Sequence, residues 1–198
     1  MKLRAAILLP ALIVSCYATN SANAEWQSEP TTVFGIELGE PISSKIPVCP
    51  PTNYYDGSRK EFCKEVKLYS IRGLAVIKFD KIPMEGILKK ITAFVYDGVV
   101  LSIQAETFDN NYQQLRLALI EKYGQPTITK KESLKTKAGV DWESEILTWS
   151  GKNVSIQLHE RFDTINSSAM IVSHLPTMAI REKEKENSAK KAASELLE

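Results

Sequence analysis

The sequence is poor in side chains that carry chemistry on their own. It has two histidines, His159 and His174, and three cysteines, Cys16, Cys49 and Cys63. There is no C-x-x-C pair and no histidine close in sequence to a cysteine, so the spacing of a zinc site is missing. H-E-x-x-H, G-x-S-x-G and G-x-G-x-x-G are absent, and so is a phosphate-cradling glycine loop. These gaps remove the locally marked hydrolases and nucleotide-binding enzymes. They do not remove chemistry built from two carboxylates on separate strands, which leaves no local trace.

Charge of one sign is lacking too. Without Lys2 and Arg4, which lie in the opening segment, the chain carries 23 basic and 24 acidic residues. Nucleic-acid binding needs a concentrated basic face, and this balance gives no sign of one. No apolar run approaches the roughly 20 residues that a membrane-spanning helix requires.

What is present begins with an export signature. Lys2 and Arg4 precede an apolar run from Ala5 to Val14, and Ala22-Asn23-Ala24 fits an A-x-A cleavage site that would leave Glu25 first. Ile13-Val14-Ser15-Cys16 competes as a lipobox, which would place a lipid on Cys16. The expectation is a periplasmic or secreted protein, with a membrane-anchored lipoprotein as the alternative. In such an oxidising compartment Cys49 and Cys63 should bond, contributing about 3 kcal/mol by restricting the unfolded chain.

The strongest structural signal is Asp97-Gly98 between two alternating runs, because a type I′ hairpin turn needs positive φ at both central residues. Pairing outward from that turn sets Tyr96 against Val99, Phe94 against Leu101 and Thr92 against Ile103, which makes this face the more apolar one. Asp109 or Asn110 then starts a helix in which Tyr112, Leu115, Leu119, Ile120 and Tyr123 recur at helical spacing. Gly124 and Pro126 close it. The helix is expected to roof the hairpin, since two strands alone are marginal in water.

Elsewhere, Val33 to Leu38 reads as a strand and Ile42 to Ile46 as a short helical turn. Val66 to Ser70 and Leu74 to Phe79 read as further strands. The lysine-rich stretch from Lys130 to Gly139 reads as an exposed loop. Glu143 to Trp149, Val154 to Leu158 and Ser168 to His174 form an antiparallel meander. If the last two strands pair with His159 opposite Met170, the histidines stand about 13 Å apart and cannot share a metal. From Thr177 on, a charged helical tail carries a weak stripe of Ala189, Ala192, Ala193, Leu196 and Leu197.

Between the cysteines lie many turn formers together with Tyr54, Tyr55, Arg59, Lys60 and Phe62. Tyrosine and arginine are favoured at interfaces, and a segment held at both ends loses little entropy on binding, so these five residues are the candidate partner-binding set. The competing reading folds the aromatics under the loop as a satellite cluster. Leu38-Gly39-Glu40-Pro41 and Tyr123-Gly124-Gln125-Pro126 resemble the Leu-Gly and Gly-x-Pro punctuation of small exported bacterial domains, including outer-membrane assembly lipoproteins of the SmpA/OmlA type. Helix-end chemistry accounts for that likeness, and no functional residue follows from it.

The sequence therefore predicts an α+β fold: antiparallel strands in one sheet or two adjoining sheets, one main helix on a face, and a charged C-terminal helix. Residues 1–24 form the leader and 25–176 one domain, or two small halves at 33–126 and 127–176, followed by the tail. The expected function is binding, as an inhibitor, an immunity-type protein or an envelope-assembly factor, with another protein as partner and no cofactor or metal. A small hydrolase with an unmarked site and a lipid-anchored structural protein are the alternatives.

Overall fold

In the computed structural model the described residues are 26, 29–50, 61–65, 69–71, 73–84, 86–135 and 139–195. Cys16, both cleavage motifs, Tyr54, Tyr55, Arg59 and Lys60 lie outside them. The elements are β1 (Thr32–Val33), β2 (Ile36–Glu37), β3 (Cys63–Lys64), β4 (Tyr69–Ile71), β5 (Leu74–Asp80), β6 (Leu88–Tyr96) and β7 (Val99–Phe108). A 3-10 turn follows at Asp109–Asn111, then α1 (Tyr112–Tyr123), β8 (Ile128–Lys135), β9 (Asp141–Ser150), β10 (Val154–His159), β11 (Ser167–His174) and α2 (Leu175–Glu195).

Alternation drives the β-strands and one sheet unites them. Its order is β3-β5-β6-β7-β11-β10-β9-β8, with β4 also paired to β5, and every ladder is antiparallel. The join falls where β11 returns to lie beside β7, Val172 opposite Ile103 and Met170 opposite Ala105. The result is an α+β fold with one large antiparallel sheet and two helices. A separate two-stranded hairpin, β1–β2, sits over it.

The Asp97-Gly98 turn forms as its residues dictate, with φ of 48° and 80°. The register beyond it departs from simple counting. Val95 pairs with Val100, but Phe94 pairs with Ser102, so one extra residue is accommodated at Leu101. That bulge puts Ile91, Ala93 and Val95 on the same face as Ile103 and Ala105, and this face is the core. The expected pairing of Phe94 with Leu101 and Thr92 with Ile103 is therefore corrected. Thr92 and Phe94 lie on the opposite face.

The inward face continues across β11, β10 and β9 as Met170, Val172, Ile156, Leu158, Leu147 and Trp149, all buried. α1 roofs this half through Tyr112, Leu115 and Leu119, with Ile120 and Tyr123 half-buried beside them. Its polar anchors run to β9. The Tyr112 hydroxyl donates to Glu145 Oε1 at 2.7 Å, Arg116 Nε lies 3.2 Å from the same oxygen, and Trp149 Nε1–H donates to the Gly124 carbonyl at 2.8 Å. The helix begins at Tyr112, after the 3-10 turn in which Asp109 Oδ1 accepts the Asn110 N–H at 3.0 Å.

The hairpin half of the sheet is covered by the N-terminal segment. Val33, Ile36, Leu38 and Ile46 are buried in the same core. The predicted single strand over Val33 to Leu38 is two short strands around a turn at Phe34-Gly35, with φ of 54° and 75°. Ile42 to Ile46 forms a non-helical turn. Gly39 N–H donates to Val100 O at 3.0 Å and Val100 N–H to Glu40 O at 2.9 Å, which fastens this segment along β7. Further back, the Glu29 carboxylate accepts three backbone N–H bonds from the β9–β10 turn: Lys152 at 2.5 Å, Asn153 at 2.7 Å and Val154 at 2.8 Å. Cys49 and Cys63 are joined, with Cα atoms 5.0 Å apart. That bond is consistent with an oxidising compartment.

Of the stretch expected as a lysine-rich loop, Lys130 to Lys135 belong to β8, the outermost strand, paired along its length to β9 from Ile128 opposite Thr148 to Lys135 opposite Asp141, while residues 136–138 lie outside the described residues. At the C-terminus α2 leaves β11 directly. No described helix is long and apolar enough to cross a membrane.

Candidate functional site

The outward face of the sheet carries the residues that remain open. β9 shows how one strand serves both faces. Glu145, Leu147 and Trp149 point inward, whereas Trp142, Ser144 and Ile146 point outward. Over the outward end of β9 the β10–β11 loop folds back, with Asp163 at a φ of 62°. Phe162 N–H donates to Ser167 O at 2.7 Å and Thr164 N–H to Phe162 O at 2.6 Å. This tight loop fixes Arg161.

The Arg161 guanidinium lies 5.1 Å from the Trp142 ring centroid. Its Nη1 donates to the Ile165 carbonyl and lies 3.4 Å from Asp109 Oδ2. Its Nε is buried and meets no acceptor among the described residues, and the same holds for the hydroxyl of buried Ser144, directly across from Glu132. Beside Arg161 opens a cleft of about 580 Å³ whose walls include Glu132, Leu134, Phe162 and Ile165. Trp142 is 38% exposed and Ile165 37%. The cleft joins the aromatic and aliphatic surface of Phe162, Leu134 and Ile165 to the fixed Arg161 cation, with Trp142 beneath the guanidinium. Such a combination suits a segment bringing an apolar side chain and a carbonyl or carboxylate.

His159 borders this face. Its ring stands edge-on to Phe162, centroids 5.9 Å apart, and its Nε2 is 3.4 Å from Gln157 Oε1. Burial pushes its pKa below the ordinary histidine value, and the Glu132 carboxylate offsets part of that shift. His174 is on the other face. The true register sets His159 opposite Ala169 and His174 opposite Val154, one residue away from the expected pairing. The two imidazoles are therefore separated by the sheet as well as along it. His174 Nδ1 lies 2.7 Å from the Thr177 hydroxyl, and its ring packs against Gly39, where an added Cβ would fall 2.4 Å from it. With buried Thr177 on one side and backbone on the other, this pair fastens α2 to β2's end of the core. Among the described residues no group of three His, Cys, Asp or Glu side chains gathers where a metal could sit.

Of the predicted partner-binding set, Phe62 is the described member. It stacks on Phe79, centroids 5.1 Å apart, and packs against the core. A second opening of about 1130 Å³ lies between α2 and the hairpin tips at Gly73 and Asp97, where the Tyr96 hydroxyl donates to Glu184. α2 presents Arg181, Lys185, Ser188 and Ala192 to it, one face at helical spacing.

The Trp142–Arg161 cleft was not foreseen from the sequence. The one available signal was the even-numbered position of Trp142 in a strand whose buried apolar residues, Leu147 and Trp149, are odd-numbered. No protein-family model matches the chain, and neither a curated protein nor a solved structure does.

Proposed function

We propose that this is an exported, non-enzymatic binding or accessory protein that grips a segment of another protein at the Trp142–Arg161 cleft. The observation that carries this reading is the Arg161 guanidinium held over an exposed tryptophan, with Ile165 and Phe162 beside it. Tryptophan and arginine are the residues most enriched where interfaces derive their binding energy. The Cys49–Cys63 bond supports export, and the balanced charge gives no support to a nucleic-acid partner. A hydrolase has less behind it, since neither histidine faces an open cleft with a hydroxyl at its side.

The test is recovery from native cells. The tagged protein should return one stoichiometric protein partner, and Trp142→Ala and Ile165→Asp should each lose it while retaining the fold. Equal recovery by wild type and both variants would overturn the cleft as the site, and the absence of any stoichiometric partner would overturn binding. Intact mass of the recovered protein tests export, expected as a start at Glu25 or an acylated Cys16.

A further inference from the structure

The outer edge of β8 offers a second surface, which shares Glu132 and Leu134 with the wall of the cleft. β8 ends the sheet, and it is eight residues long with Ile128 57% exposed. Among the described residues nothing pairs with its free side. Lys130, Lys131 and Lys135 on such an edge ordinarily discourage indiscriminate strand addition. Their arrangement with the other residues is more specific than that.

We propose that β8 is a self-association edge, on which two copies pair antiparallel about a two-fold axis and join their sheets. A two-fold axis perpendicular to the sheet keeps faces in common, so a residue can meet only one that points the same way. Outward on β8 lie Ile128, Lys130, Glu132 and Leu134, and inward lie Thr129, Lys131 and Ser133. With the axis at Lys131, Ile128 meets Leu134 of the second copy and Lys130 meets its Glu132, and both contacts occur twice. On the inward side Thr129 meets Ser133, a favourable cross-strand pair. The one like-charged contact is Lys131 with its own copy, and each of these lysines has Glu145 directly across on β9.

Neighbouring registers lose this match. An axis at Lys130 sets two lysines face to face and puts Ile128 against Glu132, whereas an axis at Glu132 opposes two carboxylates and puts Lys130 against Leu134. The strand is thus complementary to itself in one register. An unrelated acidic strand would meet repulsion at Glu132 and leave Ile128 unmatched, so a second copy is the occupant this edge fits best. An eight-residue ladder is a small interface, and dissociation at about tens to hundreds of micromolar is expected.

Sedimentation velocity on the purified full chain over a concentration series tests the proposal. Lys130→Glu and Glu132→Lys each turn two attractions into two repulsions and should weaken the dimer about tenfold or more. An equimolar mixture of the two variants restores opposite charges at both contacts and should dimerise like wild type, as should the doubly exchanged chain. Lys130 is exposed and Glu132 half-buried beside the cleft, so unchanged circular dichroism and thermal midpoint are required of both variants as the folding control. Wild type that stays monomeric to about 500 µM would overturn the proposal. Single variants that associate as well as wild type would do so too, as would a mixture that fails to recover.

Discussion

Trp142 and Trp149 sit on the same strand, seven positions apart, and fall on opposite faces of it. Trp149 is fully buried among Leu147, Ile156 and Leu158, and its indole N–H is bound to the Gly124 carbonyl. Trp142 stands at the margin under the Arg161 guanidinium, more than a third exposed. The first closes a core, and the second presents a surface. What separates them is the two-residue period of a strand, which sends odd and even positions to different solvents. A tryptophan is therefore structural or available for recognition according to the parity of its position in β9.

The sharpest way to break this contrast is to remove each ring in turn. Trp149→Ala should cost about 3–5 kcal/mol of unfolding free energy, because it leaves a large cavity and strands the Gly124 carbonyl. Trp142→Ala should cost less than about 1 kcal/mol, with its main effect on partner recovery. Equal losses in urea titrations would dissolve the distinction. A finer probe of the inward side is Tyr112→Phe, which deletes the hydroxyl donated to Glu145 and leaves Arg116 as that carboxylate's partner. A loss of about 1–2 kcal/mol is expected, and a neutral result would mean that Arg116 alone satisfies Glu145.

The smallest effect belongs to the outward side and to pH. Burial disfavours the charged form of His159, so the unfolded chain binds that proton more readily than the folded one. Stability from this group is therefore present above the unfolded value of about 6.5 and declines as pH falls through and below it. Urea midpoints at pH 7.5 and 5.5 should differ more in wild type than in His159→Gln. If the two proteins lose stability equally, His159 has no part in it.

The parts of the fold that were legible rest on local chemistry. Asp97-Gly98 specified its turn, Gly124 ended α1, and the Tyr112-Leu115-Leu119 spacing specified the buried face of the helix. The bulge at Leu101 left no such mark. Its benefit appears only when β5 and β11 are in place on either side and Ile91, Ala93 and Ile103 must share one face. The lysines of β8 read as loop because alternation in a sequence reports burial, and an edge strand has both faces largely wet. The cleft leaves no local mark for a related reason. Arg161 and Ile165 belong to a loop, and Trp142 lies just before the run of residues that read as strand.

The Glu29 carboxylate draws its three donors from a turn 123 to 125 positions later in the chain. During synthesis the segment around it emerges early and finds nothing to hold. Its anchoring site exists only once the β9–β10 turn has been made and shaped, so a late part of the chain admits an early segment to its place. Completion of this molecule is thus expected to be a late, all-at-once event, and a chain interrupted before residue 154 should leave its beginning undocked.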